Sequence, residues 1–236
     1  MTPVTGAWEA PPATLVLPPD EIHVWRARLD VPPPALAALA ALCSAEEHTR
    51  AARFRFPADR RRSLASRGLL RMILGRYLGL HPARLGLAAG PHGKPHLAGG
   101  AGARSLRFNL AHADDLALVA VARGREVGVD VEREHPERAD LDVARRMFAP
   151  PEAQALAALP PRLRARAFFT LWTIREAYAK GTGLGLAGTE AAPLPASWTV
   201  RQLPIDAGYA AALAVEHGAP TVRRWQWSAD AVPAAA

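Results

Sequence analysis

Six residues do most to restrict how this chain can fold: Val127-Gly-Val-Asp-Val-Glu132. An extended strand sends alternate side chains to opposite faces, so the three valines share one face while Asp130 and Glu132 share the other. Any fold that uses this segment must bury the apolar face and also provide for two adjacent carboxylates. These repel each other unless solvent, a proton or a cation relieves them. Paired carboxylate oxygens suit a hard divalent ion such as Mg²⁺, with water and substrate phosphates completing its shell. Taken alone, the hexapeptide fits an ordinary solvated strand face equally well.

Composition narrows the setting. Half of the 236 residues are apolar, enough for one large domain or two lobes around a true core. The one cysteine, Cys43, excludes an intrachain disulfide and points to a reducing, cytoplasmic setting. Residues 1–13 lack the basic-then-apolar order of a secretion signal, and no run of about 18 apolar residues occurs, so neither secretion nor membrane insertion is expected. The net charge of +7 is uneven. Residues 50–76 hold nine arginines against one acid, Asp59, which gives +8 and leaves −1 for the remainder. Such a patch suits an anionic partner: nucleic acid, a polyphosphate cofactor or an acidic protein. Of 29 strong bases only Lys94 and Lys180 are lysines. Lysine offers a compact charge and a pKa that burial can move, which arginine cannot imitate.

Local patterning predicts an α+β chain. Prolines at 11–19 and 32–34 bracket a strand over residues 22–29, where apolar and polar residues alternate. Ser44 followed by Glu47 is a capping box that opens a helix, Pro57 interrupts it, and a second helix covers residues 58–78. A Gly/Pro-rich hairpin region at 90–102 leads to strands at 106–110 and 116–121. The same order then recurs: a strand at 127–131, helices between 143 and 180, and strands at 198–203 and 209–215. Residues 115–122 and 208–215 echo each other. Two similar α/β lobes in a pseudo-two-fold arrangement, divided as 1–125 and 126–236, with a cleft between them, are therefore expected.

Three further segments carry chemistry. In Phe168-Phe-Thr-Leu-Trp-Thr-Ile-Arg-Glu-Ala-Tyr-Ala-Lys180, the residues Trp172, Glu176 and Lys180 are spaced four apart and share a helix face, as either a surface ion pair or part of a site. Phe108-Asn-Leu-Ala-His112 sets a histidine at a strand end, as either a turn residue or a donor to a phosphate or ribose. Gly93-Lys-Pro95 sets Lys94 on a rigid turn.

In this order the segments Arg53-Phe54, Gly93-Lys94-Pro95, Phe108 to His112, Gly128 to Glu132 and Trp172 to Lys180 resemble the phosphopantetheinyl transferase superfamily, specifically the two-lobed, surfactin-synthetase-activating type. The resemblance spans roughly residues 44–186. It implies Mg²⁺ held by Asp130, Glu132 and Glu176 against the pyrophosphate of coenzyme A. Its phosphates would be bound by Lys94, His112, Lys180 and the arginine at 50 or 53. Two departures stand out: Ala111 where the family usually has Ser, and Arg175 where it often has Lys.

The implied reaction is transfer of the phosphopantetheine arm from coenzyme A to a serine of an acyl or peptidyl carrier protein. The proton would go to Glu176, to Glu152 at the start of the helix after Pro150-Pro151, or to water, and Lys180 would stabilise the leaving phosphate. A monomer is expected, because two fused lobes can form the site within one chain. The rivals are a nucleic-acid-binding module using the 50–76 patch, a Mg²⁺-dependent phosphohydrolase and an inactive scaffold. The first leaves the three carboxylates without a role, and the basic helices lack the interleaved exposed aromatics of single-strand binders.

Overall fold

The computed structural model describes residues 7–90, 92–99, 105–185 and 193–232. The first half runs β1 (Glu21–Arg28), α1 (Pro33–Ala41), α2 (Ala45–Ala52), α3 (Pro57–Leu78), a hairpin of β2 (Gly86–Ala89) and β3 (Pro95–Ala98), then β4 (Leu106–Ala113) and β5 (Leu116–Arg123). The second half runs β6 (Val127–Arg133), α4 (Leu141–Met147), α5 (Pro150–Ala158), α6 (Pro161–Thr182), β7 (Trp198–Gln202), β8 (Tyr209–Glu216) and β9 (Thr221–Gln226).

The Ser44–Glu47 capping box forms in both directions, Glu47 N donating to Ser44 Oγ and Ser44 N to Glu47 Oε2. The proline cluster at 32–34 does more than punctuate: it opens α1, since proline in the first turn forfeits only an N–H that would be unpaired there. Of the glycine-rich stretch expected as a hairpin, residues 91 and 100–102 lie outside the described residues, and so does Leu186 at the end of the family resemblance.

Both halves share one plan. The sheets are ordered β4-β5-β1-β9 and β6-β8-β7. In each, a central strand, β5 or β8, pairs antiparallel with both neighbours. The sequence echo between 115–122 and 208–215 falls on these two strands. The long helices α3 and α6 have 22 residues each, begin with proline and end at a left-handed glycine, Gly79 (φ 63°) and Gly183 (φ 72°). The sheets do not follow the 125/126 division, however. The last strand, β9, returns to pair in parallel with β1, so the second half lends a strand to the first sheet.

The layers are α1–α3, the first sheet, the second sheet and α4–α6. Alternation decides each face. On β5, Ala117, Val119 and Val121 join the core under α3, whereas Leu116, Leu118 and Ala120 join the core between the sheets. Val127, Val129 and Val131 of β6 face that same inter-sheet core. Gly128, Asp130 and Glu132 therefore face α6. Among the described residues no helix is long and apolar enough to cross a membrane.

Two contacts fix β6. Its free edge is tied to the first sheet by buried Asn109, whose Oδ1 accepts from Val129 N at 3.0 Å. Its other face lies so close to α6 that a Cβ at Gly128 would come 2.0 Å from the Ala177 carbonyl oxygen and 2.3 Å from Gly181 N. Gly128→Ala is expected to lower stability by roughly 2–3 kcal/mol through overpacking. Urea unfolding measures this, and an unchanged midpoint would mean that strand and helix separate without penalty.

Candidate active site

The contact between Gly128 and α6 sets two charged rows side by side. Asp130 is 1% exposed, and its Oδ1 accepts from Lys180 Nζ at 2.5 Å. Glu176 Oε2 stands 4.0 Å from the same ammonium. Glu132, half-buried, is hydrogen-bonded by Trp172, the third member of the helix face. The sequence row Trp172, Glu176, Lys180 thus faces the strand row Asp130, Glu132.

The electrostatics follow from crowding three carboxylates around one cation. Burial pushes Glu132 up to about 7, with Asp130 and Glu176 adding to the rise and Lys180 opposing it. Burial also raises Glu176, with Asp130 adding to it against the pull of Lys180. Burial drives Asp130 above the usual carboxylate range, although Lys180 pulls the other way. For Lys180, burial opposes the charge, but Asp130, Glu176 and Glu132 together hold the ammonium above its ordinary value.

Asp130 Oδ2 is buried without a hydrogen-bond partner. A buried oxygen left in this state is costly, and a hard cation is one group that would relieve it. Among the described residues no three His, Cys, Asp or Glu side chains are gathered into a chelating group. Lys180 stands between Asp130 and Glu176 instead and supplies their countercharge. The donor set therefore fits a divalent cation in kind, and such an ion would have to displace the ammonium.

Lys180 also forms the wall of two cavities. One, of about 260 Å³, runs past Glu176, Arg67, Asn109 and the hairpin residues Gly93, Lys94 and Pro95. The other, of about 280 Å³, is lined by Arg50, Phe54, Ser66, Arg67, Ala111 and His112. His112 sits exposed at this rim; the protein mass around it, Lys180 and Arg67 hold its pKa below the ordinary value. Arg67 lines both cavities and makes no hydrogen bond or ion pair among the described residues. Burial, Arg50 and Arg71 lower its pKa against the pull of Glu47. The sequence marks Arg67 only as one arginine among nine; the usable signal was its four-residue spacing from Ser63, which places both on the face of α3 that lines the second cavity.

Several expected residues are placed differently. Lys94 Nζ is saturated: it donates to Glu126 Oε2 at 2.7 Å, to the Gly181 carbonyl at 2.5 Å and to the Val127 carbonyl at 3.4 Å. It pins the hairpin to the end of α6. Glu152 accepts from Ala149 N at 3.0 Å and from Arg175 Nη2 at 2.8 Å, so it caps α5 and anchors a buried arginine away from the Lys180 cluster. Arg175 accordingly turns inward. Arg50 lines the second cavity while paired with Glu46 at 2.8 Å, whereas Arg53 is exposed at the end of α2 and lines neither cavity. Cys43 is unpaired and its thiol is pushed up to about 11 by burial, which leaves it inert.

Comparisons with known proteins bear on the family of the chain. Residues 126–234 match the family profile of the 4'-phosphopantetheinyl transferase superfamily, and residues 31–124 match that of the N-terminal part of a 4'-phosphopantetheinyl transferase. The chain is 40% identical over 220 residues to the 4'-phosphopantetheinyl transferase HetI of Nostoc sp., covering 88% of this chain and 93% of that protein. It is 30% identical over 147 residues to a 4'-phosphopantetheinyl transferase of Bacillus subtilis, covering 62% of this chain and 63% of that one. With the 4'-phosphopantetheinyl transferase Sfp of Bacillus subtilis it shares 25% identity over 190 residues, 74% of this chain and 82% of that protein.

The raised pKa of Glu132 has a signed consequence. Its folded value of about 7 lies above the ordinary 4.5, so the folded chain binds more protons between these values. Stability from this group is therefore greatest below pH 4.5 and falls as pH rises through 7. In chelator, Glu132→Gln is expected to flatten that fall by on the order of 1–2 kcal/mol, allowing for solvent at a half-buried site. Urea midpoints at pH 5 and 8 give the result; parallel losses in parent and variant would show that Glu132 ionises without penalty.

Proposed function

The chain belongs to the 4'-phosphopantetheinyl transferase superfamily, and we propose that its inter-lobe cleft is where it transfers phosphopantetheine from coenzyme A to a serine of an acyl or peptidyl carrier protein. The observation that carries the site assignment is the buried Asp130 carboxylate, one oxygen on Lys180 and the other without a partner, beside Glu132 and Glu176. Asp130, Glu132 and Glu176 would hold Mg²⁺, which when bound neutralises charge on the pyrophosphate oxygens.

The chain's own residues do the rest. Arg67, with no partner of its own, and Arg50 and His112 across the same cavity suit the phosphates of coenzyme A. The serine Oγ attacks the β-phosphorus and forms a new P–O bond, while the bond to the bridging oxygen breaks and 3',5'-ADP leaves with the electron pair. The serine proton passes to Glu176, whose carboxyl burial and Asp130 make more basic than an ordinary carboxylate. Glu152 drops out of that role because Arg175 and the α5 cap engage it. Lys180 bears the charge that grows on the leaving phosphate. Both lobes contribute, so one chain suffices, and a monomer acting in the reducing cytoplasm is the simplest form.

Because Lys180 is the partner of buried Asp130, alanine there would also strand a carboxylate; glutamine keeps a donor and removes the charge. Incubated with coenzyme A and Mg²⁺, an apo carrier protein should gain about 340 Da by intact mass, and only with metal. Lys180→Gln should lower kcat about 100-fold with little change in melting temperature; near-parental turnover would remove Lys180 from the chemistry. Consumption of coenzyme A without mass gain on any carrier would instead indicate a hydrolase. Arg67→Ala should raise the KM for coenzyme A about tenfold, an arginine–phosphate contact being lost. An unchanged KM would assign the phosphates elsewhere.

A further inference from the structure

The connector between α2 and α3 carries two phenylalanines that the fold leaves in solvent, Phe54 at 42% and Phe56 at 58% exposure. Apolar groups of this size ringed by charge mark contact sites. Here the ring is made of arginine. Arg53, Arg55, Arg60 and Arg61 are all exposed. The Arg55 guanidinium lies 5.4 Å from the Phe56 ring centroid, and Arg60 Nη2 donates to the Phe54 carbonyl at 3.2 Å, which fixes the course of the connector. The acid in this stretch, Asp59, accepts from Arg62. Arg53 and Arg61 consequently make no ion pair among the described residues. Rings and unneutralised guanidinium groups are thus presented together.

The place of this surface suggests its partner. Phe54 lines the same cavity as Lys180 and His112, so the connector forms the lip over the site. The acceptor serine belongs to a folded protein, whose surface must rest on a lip of the cleft when its Oγ reaches the phosphorus. We propose that residues 53–61 are the docking surface for the acceptor carrier protein, fitting an acidic face that carries an apolar residue beside the modified serine. This rests on the transferase reading above. Guanidinium groups would meet the carboxylates, the phenylalanines would take the apolar residue, and opposite charge would speed encounter. The alternation of exposed rings with arginines also resembles single-strand binders, contrary to the expectation from the basic helices alone. Continuity with the cavity of an enzyme whose acceptor is a protein favours the carrier.

The test is the double variant Arg55→Glu/Phe56→Ser, since neither side chain lines the cavity beside Lys180. With thermal unfolding matching the parent, the KM for apo carrier protein should rise about tenfold or more, while kcat and the KM for coenzyme A stay within about twofold. A carrier KM within about twofold of the parent would overturn the proposal. So would an equal rise in the KM for coenzyme A, which would assign the surface to the coenzyme. A single-stranded oligonucleotide that inhibits the parent competitively against carrier, but not the variant, would reassign the surface to nucleic acid. If the parent binds coenzyme A by calorimetry yet modifies no carrier, the transferase reading fails and the docking surface falls with it; loss confined to the variant is a different result.

Discussion

Gly128 brings the backbone of β6 into contact with the last turns of α6, and the charged site depends on that approach. The Ala177 carbonyl and the Gly181 backbone occupy the space that any side chain at position 128 would need, and Trp198 packs on Gly181 from beyond. Because side chains alternate along a strand, Asp130 lies on the same face two residues further on. Lys180 immediately precedes Gly181 on the helix. Steric contact between two glycines therefore registers one buried carboxylate against one ammonium at 2.5 Å.

Such registration is costly in isolation. Burial raises Asp130, Glu132 and Glu176 above their ordinary values, and repulsion from Asp130 adds to the rise at Glu132 and Glu176. One ammonium cannot satisfy them fully, and Asp130 Oδ2 is left without a partner. Structural ion pairs are normally better compensated than this. An incompletely compensated cluster beside a cavity lined by Arg67 is the observation on which the proposed ligand and counter-ion rest.

The polar residues around the cluster divide by what they are already holding. Lys94 is spent on Glu126 and two carbonyls, Arg175 on Glu152, and Asn109 on the edge of β6. The ties made by Lys94 and Asn109 join the two halves, and that between Arg175 and Glu152 lies within the second. Arg67 and the arginines of the 53–61 connector have guanidinium groups to spare, and they face the cavities or solvent. A net charge of +8 over residues 50–76 conceals this difference, since Arg62, Arg71 and Arg50 are neutralised by Asp115, Glu47 and Glu46.

What the sequence determined by itself was periodic or local. The valine face and carboxylate face of β6, the Ser44 capping box, the helix carrying Glu176 and Lys180, and the recurring order of the two halves all follow from side-chain alternation, helical spacing and turn chemistry. Each involves residues a few positions apart. The tertiary structure decided what depends on contacts between distant segments. It returned β9 to the first sheet across the expected lobe division, engaged the side chains of Lys94 and Glu152 in hydrogen bonds to distant or capping partners, and gave Asn109 an edge to cap. It also placed Arg67 in the walls of both cavities beside Lys180. Hydrogen-bond partners and burial are properties of pairs that meet only after the chain has closed, so no periodicity in the sequence encodes them.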